Sequence, residues 1–171
     1  MYQRMPDLWA DPRRGEVPLS WAFSPVLARR VPMVFDYLWR TRSVNDFFMA
    51  ADNGAGYLNP AMLVAPRPLS GLPSGVENWR AHCAAHYARW DMDITGFIID
   101  GRAPQTPDEV LDAYATFSPA GVVMQYDNVD YRLHGGMPVL RRGPDIGGSV
   151  AEAIASIRAD IIGALNFLAS E

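Results

Sequence analysis

Residues 93–125 read DITGFIIDGRAPQTPDEVLDAYATFSPAGVVMQ, and this stretch decides the fold class. The apolar run from Asp93 to Asp100 is typical of a strand that is buried on both faces. The sequence TPDE at 106–109 is a capping box and predicts the start of a helix. A second apolar run at 121–125 predicts the next strand. A strand, a helix and a strand in this order predict a right-handed unit with two parallel strands.

The same alternation extends in both directions along the chain. Upstream, the patterns predict strands at 16–23 and 46–51 and helices at 26–42, with a kink or restart at Pro32, and at 76–90. Downstream, they predict a hairpin at 131–141 and a helix that the Ser149–Glu152 capping box opens. We therefore predict a single α/β domain over residues 1–171 with a mostly parallel sheet. Four main strands are too few for a closed eight-stranded barrel of about 250 residues, so an open sheet or a partial, barrel-like (TIM-like) fold is expected.

Composition restricts the classes of partner. Hydrophobic residues make up 49% of the 171 residues and charged residues 20%, which is typical of a folded globular chain. The net charge of −4 and the scattered arginines argue against a nucleic-acid partner. Cys83 is the only cysteine, so an internal disulfide is impossible. No apolar run reaches the roughly 18 residues of a membrane span, and the first residues show no signal-peptide pattern.

The sequence GAGYLNP at 54–60 follows the second predicted strand. Gly54 and Gly56 permit positive φ angles or a close approach of the backbone to a ligand. Tyr57 then places an aromatic ring and a hydroxyl at the carboxyl end of the strand, and Asn59-Pro60 is typical of a cap followed by the first helical residue. Open α/β sheets bind their ligands at this edge, so we predict that Gly54, Gly56, Tyr57 and Asn59 contact a substrate.

This motif resembles the signature of the GxGYxYP family. Five other segments are also similar to that family: SP at 24–25, VPMVFDY at 31–37, NDFF at 45–48, DITGFII at 93–99 and GMPV at 136–139. Asn59 stands where the signature has its second tyrosine, so no role of that tyrosine is carried over. The resemblance implies glycoside hydrolysis without a metal or organic cofactor, and it favours an extracellular or cell-envelope location. It also implies that this chain is the C-terminal region of a larger protein, with a further N-terminal region as its partner.

Glycoside hydrolysis usually needs two carboxyl groups, one on each side of the bond that breaks. Three aspartates follow predicted strands at their carboxyl ends: Asp52, Asp100 and Asp127. Asp100 and Asp127 follow consecutive strands, so we predict that they form the catalytic pair; the sequence does not distinguish the acid from the base. The alternative is that such aspartates cap helices or stabilise turns.

Further residues are predicted to bind the substrate. They are Trp21, which is at least as well explained as a core residue, and Asp52, Gln125, Tyr126 and Asp145. His82 and His86 have a spacing that metals use, but the glutamate of a zinc-protease motif is missing, so an ordinary helix surface is expected. Gly54-x-Gly56 is half of a dinucleotide fingerprint whose third glycine is replaced by Asn59. The main alternative to an enzyme is a carbohydrate-binding domain without catalysis.

Overall fold

A computed structural model describes residues 5–67, 69–98, 106–125, 131–143, 146 and 148–168, with the backbone alone for 97, 98 and 163–168. The described sheet has six strands: β1 (Leu19–Phe23), β2 (Asp46–Ala50), β3 (Ile94–Ile98), β4 (Gly121–Met124), β5 (Arg132–His134) and β6 (Met137–Arg141). Their order is β1-β2-β3-β4-β6-β5, and only the β5–β6 pair is antiparallel. The predicted α/β fold with a mostly parallel, unclosed and barrel-like sheet is confirmed.

The described residues also form five α-helices: α1 (Met5–Trp9), α2 (Pro32–Thr41), α3 (Val76–Trp90), α4 (Asp108–Phe117) and α5 (Val150–Leu168). The predicted helix at 26–42 is divided into a 3₁₀ turn, Pro25–Arg29, and α2, because Pro32 begins a new helix. The short helix α1 was not predicted. The capping box at α5 is confirmed, because Ser149 and Glu152 bond each other's backbone N–H groups.

Aromatic packing between helices and strands covers one face of the sheet. Phe35 of α2 lies 5.8 Å from Phe23 of β1, and Trp39 of α2 stacks on Phe48 of β2 at 3.9 Å between ring centroids. Farther along, the Tyr87 hydroxyl of α3 lies 2.6 Å from the Thr95 hydroxyl of β3. These side chains form one buried core together with residues of α4.

The alternate residues of the same strands point to the other face and are much more exposed. Phe47 of β2 is 53% exposed although its neighbour Phe48 is 8% exposed, and Leu140 of β6 is 39% exposed. The two faces of the sheet are therefore unequal, with the packed core on one of them. Among the described helices, none has the length and apolar character that a membrane crossing needs.

Candidate functional site at the carboxyl ends of the strands

The parallel strands β1 to β4 end at one common edge of the sheet. Ser24 follows β1 directly, Ala51 and Asp52 follow β2, and the half-buried Gln125 follows β4. This edge is where parallel sheets present ligand-binding groups, because the loops that leave the strands converge there. We call residues 52–60 the signature loop.

The signature loop has an unusual backbone. Asp52 and Asn53 have φ angles of 57° and 67°, and Gly54 and Gly56 have φ angles of 123° and 128°. A Cβ atom on Gly54 would lie 3.0 Å from the Cys83 sulfur, whereas one on Gly56 would meet nothing within 4 Å. The predicted positive φ angles of the two glycines are confirmed. Gly54 is also required for the close contact with α3.

Helices α3 and α4 fix the loop in place by its backbone groups. The Ala55 N–H donates to Cys83 Sγ at 3.4 Å, and the Ala55 carbonyl accepts a hydrogen bond from His82 Nε2 at 2.9 Å. Tyr114 of α4 donates its hydroxyl to the Asn53 carbonyl at 2.9 Å. These bonds join residues that are 27 to 61 positions apart in the sequence, so the loop conformation depends on the packed helices.

The two histidines of α3, His82 and His86, therefore have structural roles. His82 bonds the loop, and His86 is only 6% exposed, so the prediction of an ordinary helix surface is wrong for His86. Burial, with the nearby charge of His82 second, lowers the pKa of His86. Burial also raises the pKa of the Cys83 thiol to about 11, which keeps the thiol neutral and suited to packing.

Tyr57 stands out from this fixed loop. Its side chain is 74% exposed, so both the ring and the hydroxyl are available to a ligand. Asn59 accepts a hydrogen bond from the Ala61 N–H at 3.0 Å and caps the 3₁₀ turn Pro60–Leu63. The residue that departs from the signature thus has a structural role, and its predicted contact with substrate stays a prediction.

A cleft of about 430 Å³ adjoins Asp52. We call it the β1 cleft; residues of α1, β1 and the segment after β2 line it, among them Leu8, Trp21, Ser24 and Asp52. Burial raises the pKa of the Asp52 carboxyl above its usual value. A carboxyl group with a raised pKa keeps its proton to a higher pH than an ordinary aspartate does.

Trp21 has contacts on both sides. Its indole N–H donates to Asp46 at 2.8 Å, and its ring meets Trp9 edge-on at 5.2 Å. The alternative that Trp21 is a core residue therefore explains most of its contacts, although part of its surface lines the β1 cleft.

A second cavity, of about 470 Å³, lies at the opposite end of β2 and β3. Its buried carboxylate, Asp46, already accepts hydrogen bonds from the Ser43 N–H at 2.6 Å and from Trp21, and it pairs with Arg14. Burial raises the pKa of Asp46, but these bonds outweigh burial and hold the pKa below its usual value. Because this carboxylate is satisfied by the fold, we place the candidate site at the carboxyl ends of the strands.

Four predicted site residues lie outside the described residues: Asp100, Tyr126, Asp127 and Asp145. The pairing of Asp100 with Asp127 accordingly stays a prediction. One residue at this edge was missed by the sequence reasoning. Ser24 precedes the 3₁₀ turn Pro25–Arg29, but its side chain makes no capping bond and the residue lines the β1 cleft. Its position directly after a strand was the signal that could have identified it.

Residues 1–153 match the protein family described as "GxGYxYP putative glycoside hydrolase C-terminal domain". The chain belongs to this family. The GxGYxYP chain is also similar to a solved structure from Bacteroides thetaiotaomicron VPI-5482 that is described as "a putative hydrolase", with a TM-score of 0.66 and 17% sequence identity. The match covers 91% of this chain and 31% of that one, so this chain spans about a third of the length of the solved protein. No curated protein matches the sequence.

Proposed function

We propose that this GxGYxYP chain hydrolyses glycosidic bonds of a polysaccharide or smaller glycan at the carboxyl ends of its strands. Family membership supports hydrolysis of a glycoside as the reaction class. The observation on which the proposal depends is the signature loop, whose backbone α3 and α4 fix while the Tyr57 side chain stays 74% exposed. Asp52 begins the same loop and lines the β1 cleft.

The reaction needs one carboxyl group that protonates the departing oxygen and one that attacks the sugar or activates water. We propose Asp100 and Asp127 for these two roles, since each follows a strand that ends at this edge. Tyr57 then stacks on or hydrogen-bonds the sugar, and Asp52 and Gln125 bind its hydroxyl groups. Water supplies the hydroxyl group at the anomeric carbon, and the mechanism requires no metal or organic cofactor.

Asparagine variants test the catalytic pair. We expect Asp100→Asn and Asp127→Asn each to lower the hydrolysis rate by about 100-fold to 10,000-fold, because a general acid or base contributes about that much. Glycan binding, measured by calorimetry, should survive in both variants. The control is Asp36→Asn, which removes an exposed carboxylate of α2. Unchanged rates in both variants would reject the pair.

The non-catalytic alternative predicts a different result. A carbohydrate-binding domain would bind glycans through Tyr57 and release no reducing sugar from any of them. In both cases Tyr57→Ala should weaken binding by about 2-fold to 12-fold, because an aromatic contact is worth about 0.5–1.5 kcal/mol. The Tyr57→Phe variant then distinguishes the ring from the hydroxyl, and its folding should be unaffected because the side chain is exposed.

We also propose that the chain is the C-terminal region of a longer protein whose N-terminal region completes the cleft. Two observations support this proposal. The match covers only 31% of the solved protein from Bacteroides thetaiotaomicron, and the described sheet is not closed. An antibody raised against this chain should detect a polypeptide clearly larger than 18.9 kDa in the source cells. A single band at the mass of this chain would contradict the proposal.

A further inference from the structure

The β1 cleft has the size and the walls of a small-molecule site. Met5 and Leu8 of α1 form one side, and Trp21 and Phe23 of β1 contribute to the other. The volume of about 430 Å³ falls within the range of about 300–1,000 Å³ that ligand sites occupy. Such sites are mostly apolar, with a few polar groups that fix the orientation of the ligand.

The polar groups are found where the cleft meets the carboxyl ends of the strands. Ser24 is 7% exposed, and its hydroxyl makes no hydrogen bond with any residue that the structure describes. A buried hydroxyl without a partner is costly, and a change of the Ser24 side-chain rotamer would let a ligand atom in the cleft supply the missing bond. Asp52 also lines this part of the cleft.

The charge of the lining residues restricts the ligand. None of the described residues that line the cleft is basic, and Asp52 is acidic, so phosphate and carboxylate groups are disfavoured. A neutral ligand with hydroxyl groups at one end suits the serine and the aspartate, because a serine hydroxyl donates and accepts hydrogen bonds and a carboxylate accepts them from hydroxyl groups. The other end of the ligand must be apolar, because it displaces water from the side chains of Leu8 and Trp21.

We propose that the β1 cleft binds the non-sugar part of a glycoside, and that this part is an aryl or alkyl group. The sugar end of the ligand rests on the proposed function, whereas the apolar end rests on the cleft itself. The ligand extends from the apolar walls near Leu8 towards Ser24 and Asp52, where its oxygen atoms are bound. The sugar then lies next to Asp52, the first residue of the signature loop.

Binding of small probes tests this site without requiring hydrolysis. The probes are 4-methylphenol, phenyl β-glucoside and methyl β-glucoside, and binding is measured by amide chemical shifts in NMR spectra. We expect 4-methylphenol and phenyl β-glucoside to shift the amides of Leu8, Ala22 and Asp52. Methyl β-glucoside at the same concentration should leave the amides of Leu8 and Ala22 unshifted. Equal shifts for the phenyl and methyl glucosides, or none at these amides, would overturn the proposal.

A matched pair of variants locates the site. Leu8→Arg places a charge in the cleft at a position that is 53% exposed, and Leu133→Arg places the same charge on β5 at a position that is 70% exposed. We expect Leu8→Arg to weaken binding of 4-methylphenol by roughly tenfold or more, since the guanidinium would have to lose water. Leu133→Arg should bind as the wild type does, and circular dichroism checks that both variants fold. Equal effects of the two variants would reject the cleft.

The outcomes separate this inference from the proposed function. If 4-methylphenol binds at the cleft but no glycan is hydrolysed, the apolar site stands and hydrolysis fails. If glycans are hydrolysed at rates that do not depend on the aglycone or on Leu8→Arg, hydrolysis stands and the apolar site fails.

Discussion

The two ends of strand β2 each have an aspartate, and the two have opposite environments. Asp46, at the amino end, is 7% exposed and is bonded by Ser43, Trp21 and Arg14, so its pKa is lowered. Asp52, just past the carboxyl end, has a positive φ angle, and burial raises its pKa. One carboxylate is stabilised by the fold, and the other is destabilised by it.

The difference indicates that the two ends of β2 have different roles, one in stability and the other in the proposed substrate binding. At β2, the aspartate at the amino end holds the structure together, and the aspartate at the carboxyl end is positioned at some cost in stability. Parallel α/β folds generally place binding groups at the carboxyl ends. Four predictions test this division, from the largest expected effect to the smallest.

Asp46→Asn should lower the free energy of unfolding by about 3–5 kcal/mol, because it leaves the largely buried Arg14 without a charged partner. Urea denaturation measures the loss. The folded-state pKa of Asp46 is lowered, so its stabilisation is present at neutral pH and is lost as the pH falls below 3.8 and through that lowered value. The Asp46→Asn variant should lack this pH-dependent part of the stability. As a control, Asp11→Asn disrupts an exposed pair with Arg13 and should leave stability nearly unchanged.

Gly54→Ala and Gly56→Ala compare two glycines of the signature loop. Both alanines would be strained by φ angles above 120°, at a cost of about 1 kcal/mol or more. Gly54→Ala also brings a Cβ atom to 3.0 Å from Cys83, so we expect a total loss of about 2 kcal/mol for it and about 1 kcal/mol for Gly56→Ala. Thermal unfolding of both variants measures the difference. Equal losses would show that the contact between the loop and α3 contributes nothing.

Tyr114→Phe removes the hydrogen bond from α4 to the Asn53 carbonyl. We expect stability to fall by about 1 kcal/mol and the Gly54 and Ala55 amides to exchange their hydrogens faster, because the loop loses one of its anchors. Hydrogen exchange followed by NMR measures both effects. Tyr37→Phe, at a side chain that is 56% exposed, provides the control. Unchanged exchange in the loop would mean that α3 alone fixes it.

Asp52→Asn should change stability in the opposite direction, because we expect it to raise the free energy of unfolding. The folded state raises the pKa of Asp52, so ionisation near neutral pH favours the unfolded chain, and asparagine removes that penalty while tolerating a positive φ angle. Asp52 is partly exposed, and solvent screening keeps the gain at about 0.5 kcal/mol. The gain should disappear as the pH falls towards 3.8, where both states of the wild type become protonated. A loss of stability at neutral pH would refute this account of the carboxyl end.

Much of the fold could be predicted from the sequence because its signals are local. The apolar run at 46–51 predicted β2 almost to the residue, and the capping box at Ser149 predicted the start of α5. Glycines at 54 and 56 indicated a loop with positive φ angles, which the structure has. The short helix α1 was missed because five residues are too few for a helical period to be recognised.

The sequence by itself determined the alternation of strands and helices from β1 to α5, the edge at which the signature loop lies and the family to which the chain belongs. Only the tertiary structure decided that Asp46 is a stabilising group, that His82 and Cys83 hold Ala55, and that Ser24 faces a cleft. The physical reason is distance along the chain. Helix caps and strand alternation depend on neighbours within a few residues, whereas the bond from Tyr114 to Asn53 spans 61 residues and forms only when the helices pack on the sheet.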